Sequence, residues 1–299
     1  MAETHVVPRP PSLRRYGSTC WVAQSEVFAT NSGLFIVDDG ATLIDPGITP
    51  PELEAIAAFV ASRGATVRGL VLTHAHWDHL LGPQAFPGAM VIAHRGYSDV
   101  IRRRHHDLQR QVADWRRAGA WSTCRDFAPP LPDVTFDGQL TVHLGSPALS
   151  VLYAPGHAPD HCVVYDAAVG LLWAGDMLSD LEIPMVMDRF ATYRETLRQL
   201  AALDVRVLIP GHGTPTDDAQ DIRRRFSQDL DYLDAVWECV TQGMACGRSL
   251  DETVVYCRGI RPAQPDDYPN AHTWNVEQAY AEMGGASVEP IGWEKEWMS

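Results

Sequence analysis

Positive charge is scarce in this sequence. Lysine and arginine number 24 against 38 aspartates and glutamates, a formal net charge of −14, which argues against a broad electrostatic grip on nucleic acid or an anionic membrane. No run of eighteen apolar residues occurs, so no membrane-spanning helix is expected. The N-terminal "MAETHVVPRPPSLRRYGS" lacks the apolar core of a signal peptide. These absences give the expectation of a cytoplasmic protein with a small-molecule substrate and with neither a nucleic-acid nor a membrane partner; self-association into a homo-oligomer stays open. The six cysteines (Cys20, Cys124, Cys162, Cys239, Cys246, Cys257) form no CxxC pair, in a chain too long to need disulfide staples, and read as free structural thiols. Short-period repeats and low-complexity tracts are also missing, so the expectation is one domain over residues 1–299.

What is present is a core-forming composition, 45% hydrophobic, arranged as short strands followed by helices. "GLFIV" and "ATLIDPG" flank Asp38-Asp39-Gly40 as a hairpin, with Gly40 expected to supply a positive φ. "PPELEAIAAFVASRG" has Leu53, Ile56, Ala57 and Val60 at helical spacing, Pro51 near its start and Gly64 past its end. Apolar strands follow at "VRGLVLTHAH", "AMVIAH", "LTVHLG", "LSVLYAPGH", "CVVYD", "LLWAGD" and "VRVLIPGHG". A helix between the last two carries Tyr193, Leu197 and Leu200 on one side. The tail reads as helical, with good N-cap residues at "TDDAQ", a capping box at Ser249–Glu252 and an apolar stripe of Val276, Tyr280 and Met283.

The chemistry concentrates in "VLTHAHWDHLLG", where an apolar strand runs into His74, His76, Asp78 and His79. Two histidines two apart on an extended strand end face the same side, close enough to share a metal at about 2 Å from each imidazole. Asp78 and His79 follow after the chain has turned and can face a second metal. Two dications need more donors than six positions offer, and other strand ends supply them. His157 closes "LSVLYAPGH", Asp176 closes "LLWAGD" and His212 closes "VRVLIPGH".

"THAHWDH", "APGHAPDH", "AGDM" and "IPGHG", in this order, resemble the metal-binding motifs of the metallo-β-lactamase superfamily from roughly Ser32 to Gly213, with "LIDPG" resembling its early aspartate motif. The resemblance implies an α/β (α+β) fold, a four-layer αββα sandwich of the metallo-β-lactamase type, here with additional C-terminal helices. The core would span about 20–215, a helical cap insertion about 98–121 and a helical extension about 216–299. It also implies two Zn2+ ions, with Fe or Mn as alternatives. His74, His76 and His157 would bind the first ion and Asp78, His79 and His212 the second; Asp176 would bridge them and Asp45 would orient ligating imidazoles. The implied activity is hydrolysis of a lactone, ester or thioester by a metal-bridging hydroxide, with Asp78 and Asp176 as the catalytic carboxylates. No serine or cysteine nucleophile is required, and Cys162 reads as a buried strand residue.

Trp77, His161 and Tyr193 are candidates for the substrate pocket. Tyr193 would replace the tyrosine that follows the bridging aspartate in acyl-homoserine lactonases, since Met177, Leu178, Ser179 and Asp180 stand at that place here. His94 reads as a hydrogen-bonded loop histidine and His143 as an outward strand residue. Arg102–Arg104 reads as a solvated helix face, with contact to an anionic substrate as the alternative. Two other functions fit the motifs: an oxidoreductase resembling the persulfide dioxygenases, with one iron, and a non-catalytic binding protein stabilised by its metals.

Overall fold

The computed structural model describes residues 11–118, 127–145, 148–264 and 270–284; the expectations for Trp121, Cys124, Pro265, Pro269, Trp293 and Trp297 lie outside them. Two sheets face each other. The first begins with a meander of β1 (Ser12–Tyr16), β2 (Cys20–Gln24), β3 (Asn31–Val37) and β4 (Gly40–Ile44), and continues in parallel through β5 (Thr66–Val71), β6 (Met90–His94) and β7 (Val134–Phe136). The second is a meander of β8 (Gln139–His143), β9 (Ala148–Tyr153), β10 (Cys162–Asp166) and β11 (Leu171–Gly175), closed by β12 (Val207–Pro210) parallel to β11.

Side-chain alternation sorts the apolar residues into three layers. Phe35, Ile44, Val71, Val164, Trp173 and Ile209 pack between the sheets. Leu34, Leu43, Leu70 and Leu72 point the other way, against α1 (Pro50–Ser62) and α2 (Tyr97–Ala118). Val163, Leu172 and Leu208 face α3 (Phe190–Ala201) and α4 (Ala219–Ala245), which also carry α5 (Leu250–Cys257) and α6 (Ala271–Glu282). This is an αββα sandwich with C-terminal helices. β10 and β11 are buried on both faces, which accounts for their continuous apolar runs in place of alternation. Trp173 fills the inter-sheet space so closely that a Cβ at Gly33 would lie 2.9 Å from its ring.

Local signals are used as the sequence suggests at several places. The Glu52 carboxylate accepts the Thr49 N–H (3.1 Å) at the start of α1, Asp218 caps α4 through the Gln220 N–H, and Ser249 with Glu252 caps α5. The β3–β4 turn differs from expectation: the positive φ falls on Asp38 (51°) and not on Gly40, since an aspartate tolerates the left-handed region well enough. β1, β2 and β7 are additions that the sequence reading passed over. No helix among the described residues is long and apolar enough to cross a membrane.

Candidate metal centre

The sandwich brings one set of strand ends to one edge: β4 leads into Asp45, β5 into His74 and His76, β9 into His157, β11 into Asp176 and β12 into His212. A short 3-10 turn at Trp77–His79 reverses the chain so that Asp78 and His79 join them. Two donor groups result, His74, His76, His157 and Asp176 in one and Asp78, His79 and His212 in the other, each with its ligand atoms within 4.8 Å of one another.

The distances suit cations. His76 Nδ1 lies 2.8 Å from His74 Nε2 and 3.1 Å from His157 Nε2, and His212 Nε2 lies 3.1 Å from Asp78 Oδ2. Ligands at tetrahedral angles around a zinc are separated by about 3.3 Å, given bonds of about 2 Å. Asp176 stands between the groups, its carboxylate 3.4 Å from His74, 3.2 Å from His79, 3.5 Å from His157 and 3.7 Å from His212. Its Oδ1 is buried and accepts no hydrogen bond among the described residues, as a carboxylate oxygen reserved for a metal would be.

The rings are aimed from behind. His157 Nδ1–H donates to the Met185 carbonyl (3.1 Å), and His212 Nδ1–H to the Phe28 carbonyl (3.1 Å). His79 Nδ1–H donates to Asp45 Oδ2 (3.1 Å). Asp45 also accepts the Thr73 N–H (2.9 Å) and hydroxyl (2.6 Å), and that hydroxyl accepts from His74 Nδ1 (3.0 Å). One buried carboxylate thus sets a ring in each donor group, turning the other nitrogen inward. Phe28 and Ala29 hold positive φ of 51° and 45°, a strained turn that presents the Phe28 carbonyl to His212. Asn31 fastens the same corner, donating to the carbonyls of Pro210 (2.8 Å) and Gly213 (2.9 Å).

The electrostatics divide along the same line. Burial, reinforced by the neighbouring imidazoles, holds His76 well below the ordinary histidine value and lowers His157 to about 3, so both stand neutral with a lone pair to give. Burial opposes protonation of His79 and His212 as well, but the carboxylates around them prevail: Asp176, Asp78 and Asp45 hold His79 well above the usual range, and Asp176, Glu182 and Asp78 raise His212 to about 10. Protons here occupy the place of a cation among carboxylates, and metal binding would release them.

His161 does not line the cleft. It is fully buried, its Nδ1–H donates to the Ala154 carbonyl (3.0 Å) and its Nε2 accepts the Asp176 N–H (3.2 Å), so it holds the backbone of Asp176. Gly175 is needed beside it, with φ of 54° and no room for a Cβ against the imidazole. Tyr193 is also fully buried; it borders a second pocket of ≈ 220 Å³ shared with His157, Asp176, Glu182 and Asp229, and among the described residues its hydroxyl has no hydrogen-bond partner. His94 stacks on Tyr153 (4.0 Å between centroids) and its Nδ1 accepts the Gly96 N–H. His143 is exposed and Cys162 buried.

Trp77 does line the open cleft of ≈ 550 Å³ above the donors, with Phe28 beside it and Met185 and Met187 among the other walls. The expected cap is, as far as Ala118, the helix α2. Arg102 and Arg103 face solvent, but Arg104 turns into the cleft, correcting the reading of the whole run as a solvated face. Gln111 and Glu182 also line it, and neither was singled out from sequence. Gln111 was detectable, lying seven residues after Arg104 on the face that carries Ile101 and Leu108.

A family model described as the metallo-beta-lactamase superfamily matches residues 25–212. The chain belongs to this superfamily. With its His/Asp cluster it is a metallo-hydrolase of the metallo-beta-lactamase class. It is 28% identical over 233 residues to the probable metallo-hydrolase YqjP of Bacillus subtilis (strain 168), covering 64% of this chain and 69% of that one. It is 27% identical over 150 residues to the hydroxyacylglutathione hydrolase of Thermosynechococcus vestitus, half the length of each. Among solved structures, the stereoselective inverting sec-alkylsulfatase Pisa1 from Pseudomonas sp. superposes with a TM-score of 0.73 at 15% identity, over 93% of this chain and 51% of that one. The metallo-beta-lactamase family protein TTHA1429 from Thermus thermophilus gives 0.60 at 23% identity, over 93% and 92%. The structural likenesses bear on the fold alone.

Beyond the family match, α4 braces the turn that carries Asp176. Leu178 has a φ of 61°, and its carbonyl accepts from Arg225 (3.4 Å). Burial pushes the Asp229 carboxyl up to about 7, against the hydrogen bond from Gln264 (2.8 Å), the neighbouring Leu178 backbone and the nearby Arg225 charge. A folded-state pKa above the unfolded one means that the folded protein holds the extra proton between about pH 4 and pH 7. The ionisation penalty is therefore absent below pH 4 and complete above pH 7, amounting to at most about 4 kcal/mol. Asp229→Asn is expected to remove this component: the difference in unfolding free energy, wild type minus variant, should fall as pH rises from 5 to 8 in denaturant titrations. A difference independent of pH would show that Asp229 does not titrate in this window.

Proposed function

We propose that this protein is a dinuclear metal-dependent hydrolase of small ester-like acyl substrates: lactones, esters or thioesters. The observation that carries the reading is the meeting of two complete donor groups at Asp176, on the floor of a cleft open to a small molecule. Two zinc ions fit these donors, and when bound they would supply Lewis acidity and an activated water at neutral pH. His74, His76 and His157 would hold one ion, Asp78, His79 and His212 the other, and Asp176 both. Hydrolysis adds the elements of water across the acyl bond: hydroxyl joins the acyl carbon, the C–O or C–S bond breaks, and the leaving oxygen or sulfur takes a proton. Asp78, which lines the cleft and lies 3.1 Å from His212, would orient the water and pass that proton on. Phe28 and Trp77 give the substrate's apolar part an aromatic wall, Met185 and Met187 a pliable one. An acyl substrate is favoured over a sulfate ester because the relatives found by sequence include several named hydroxyacylglutathione hydrolases, whereas the sulfatase likeness rests on fold.

The test is elemental analysis of protein purified without added metal, followed by a panel of thioesters, esters and lactones. About two zinc ions per chain, with hydrolysis of at least one class lost on chelation and regained with zinc, is the expected result. One iron per chain with no hydrolysis and with oxygen consumed on persulfides would overturn it.

A further inference from the structure

Between β11 and α3 the chain runs past the metal donors without helix or strand, so its backbone polar groups depend on whatever packs against them. Around Pro184–Met187 the partners alternate. The Met185 carbonyl accepts His157 Nδ1–H (3.1 Å), and the Met187 N–H donates to the His157 carbonyl (3.1 Å). Facing the other way, the Pro184 carbonyl accepts Asn275 Nδ2–H (2.6 Å), the Val186 N–H donates to Asn275 Oδ1 (3.1 Å), and the Val186 carbonyl accepts Trp274 Nε1–H (2.8 Å). Odd-numbered residues thus pair with a metal ligand and even-numbered ones with α6, as successive groups of an extended chain point to opposite sides. Side chains are divided too: Met185 and Met187 line the cleft, while Val186 is buried among the C-terminal helices. Asn275 is itself fixed. It is fully buried, and its second Nδ2–H goes to the Tyr232 hydroxyl on α4 (3.1 Å), which in turn donates to His272 Nδ1 (3.1 Å). With both amide hydrogens and the carbonyl in use, the side chain has one orientation.

We infer that Asn275, with Trp274 beside it, is a positioning residue of the first metal site: from α6 it holds the 184–187 segment at the height where the Met185 carbonyl aims His157. This rests on the metal-hydrolase reading and extends the site to a helix beyond the family match, which ends at residue 212. His157 makes its Nδ1 hydrogen bond to a backbone carbonyl of a segment with no regular structure of its own, so the ring is only as well placed as that segment. Loss of the Asn275 amide leaves the Pro184 carbonyl and the Val186 N–H without their partners, and the segment shifts to satisfy them. The Met185 carbonyl moves with it, and Nε2 of His157 no longer points at the place shared with His74 and His76.

The experiment measures zinc affinity by chelator competition on the full chain, for wild type, Asn275→Ala, Trp274→Phe and Tyr232→Phe. Asn275→Ala is expected to weaken one zinc site by about tenfold, the lower end of the effect of losing a group behind a metal ligand, and to leave the other unchanged. Trp274→Phe keeps an aromatic ring and loses only the donor to Val186, so it should weaken the same site by less. Tyr232→Phe removes a buried hydrogen bond from the same network but none to the segment, and should keep wild-type affinity at both sites; a purely structural role for the network would move it as well. In metal-free protein, nitrogen NMR is expected to show His157 as the Nδ1–H tautomer in wild type and as a mixture in Asn275→Ala. Wild-type zinc affinity with an unchanged tautomer in Asn275→Ala, or equal weakening of both zinc sites, would overturn the inference while leaving the hydrolase standing. If Asn275→Ala does not fold, Trp274→Phe set against Tyr232→Phe decides by the same two readouts. If wild type takes up no zinc, the hydrolase reading fails and the His157 tautomer alone decides the positioning.

Discussion

Replacing Asp176 by asparagine is expected to leave about one metal ion per chain in place of two and to lower kcat on the best panel substrate by about 10³-fold, the order seen when a preorganised electrostatic group is lost from an active site. Asp176 lies within 3.7 Å of four of the ligand imidazoles, and no other carboxylate of the cluster faces both donor groups. Asparagine keeps the shape and the backbone N–H that His161 accepts, so the turn should survive while the shared negative charge disappears. His79 would lose the carboxylate that does most to keep it charged, and two adjacent dications would repel each other with less charge between them. Elemental mass spectrometry together with initial rates measures both effects. Two ions retained with activity within about tenfold of wild type would show that Asp176 does not bridge.

Stripping the metals is expected to lower the melting temperature by about 10 °C, with recovery on adding zinc but not magnesium, which prefers an all-oxygen shell. Zinc at a thousandfold excess over its dissociation constant stabilises by about 4 kcal/mol, and in a chain of this size each kcal/mol moves the midpoint by roughly 2–4 °C. The increment should shrink as pH falls, because His79 and His212 carry protons in the metal-free cluster and these must leave for the metal to bind. Scanning calorimetry at pH 6 and pH 8, with and without chelator, reads both the size and the trend. A midpoint indifferent to chelator would mean that the cluster holds no structural cation.

The donor set was legible because its residues fall at strand ends, where an apolar run marks the strand and a glycine the turn; His157 and His212 were found that way. β10 and β11 were legible as strands because burial on both faces leaves unbroken apolar runs; the sandwich itself came only from the resemblance of the metal motifs. Edge elements were not: "SLRRY" of β1 carries two arginines, and its pairing with β2 comes from backbone hydrogen bonds that no side chain advertises. The arginine run misled because a charge cluster says nothing of helix phase; only Ile101 and Leu108 fix which arginine turns inward. Asp229 and Arg225 carried no signal at all, since a buried charge in a polar helix is recognised only once its tertiary partners are known.

The match to the family ends at His212, yet the hydrogen bond that the Leu178 carbonyl accepts comes from Arg225, beyond that limit. Family likeness and mechanical support therefore have different borders in this chain. An extension that helps to hold the turn after Asp176 is not an interchangeable cassette: grafting another relative's tail after residue 212 would change the footing of Asp176 while leaving every family motif intact. The effect of a substitution at 176–180 is therefore expected to depend on the residue at 225, which also pairs with Asp180 (3.6 Å).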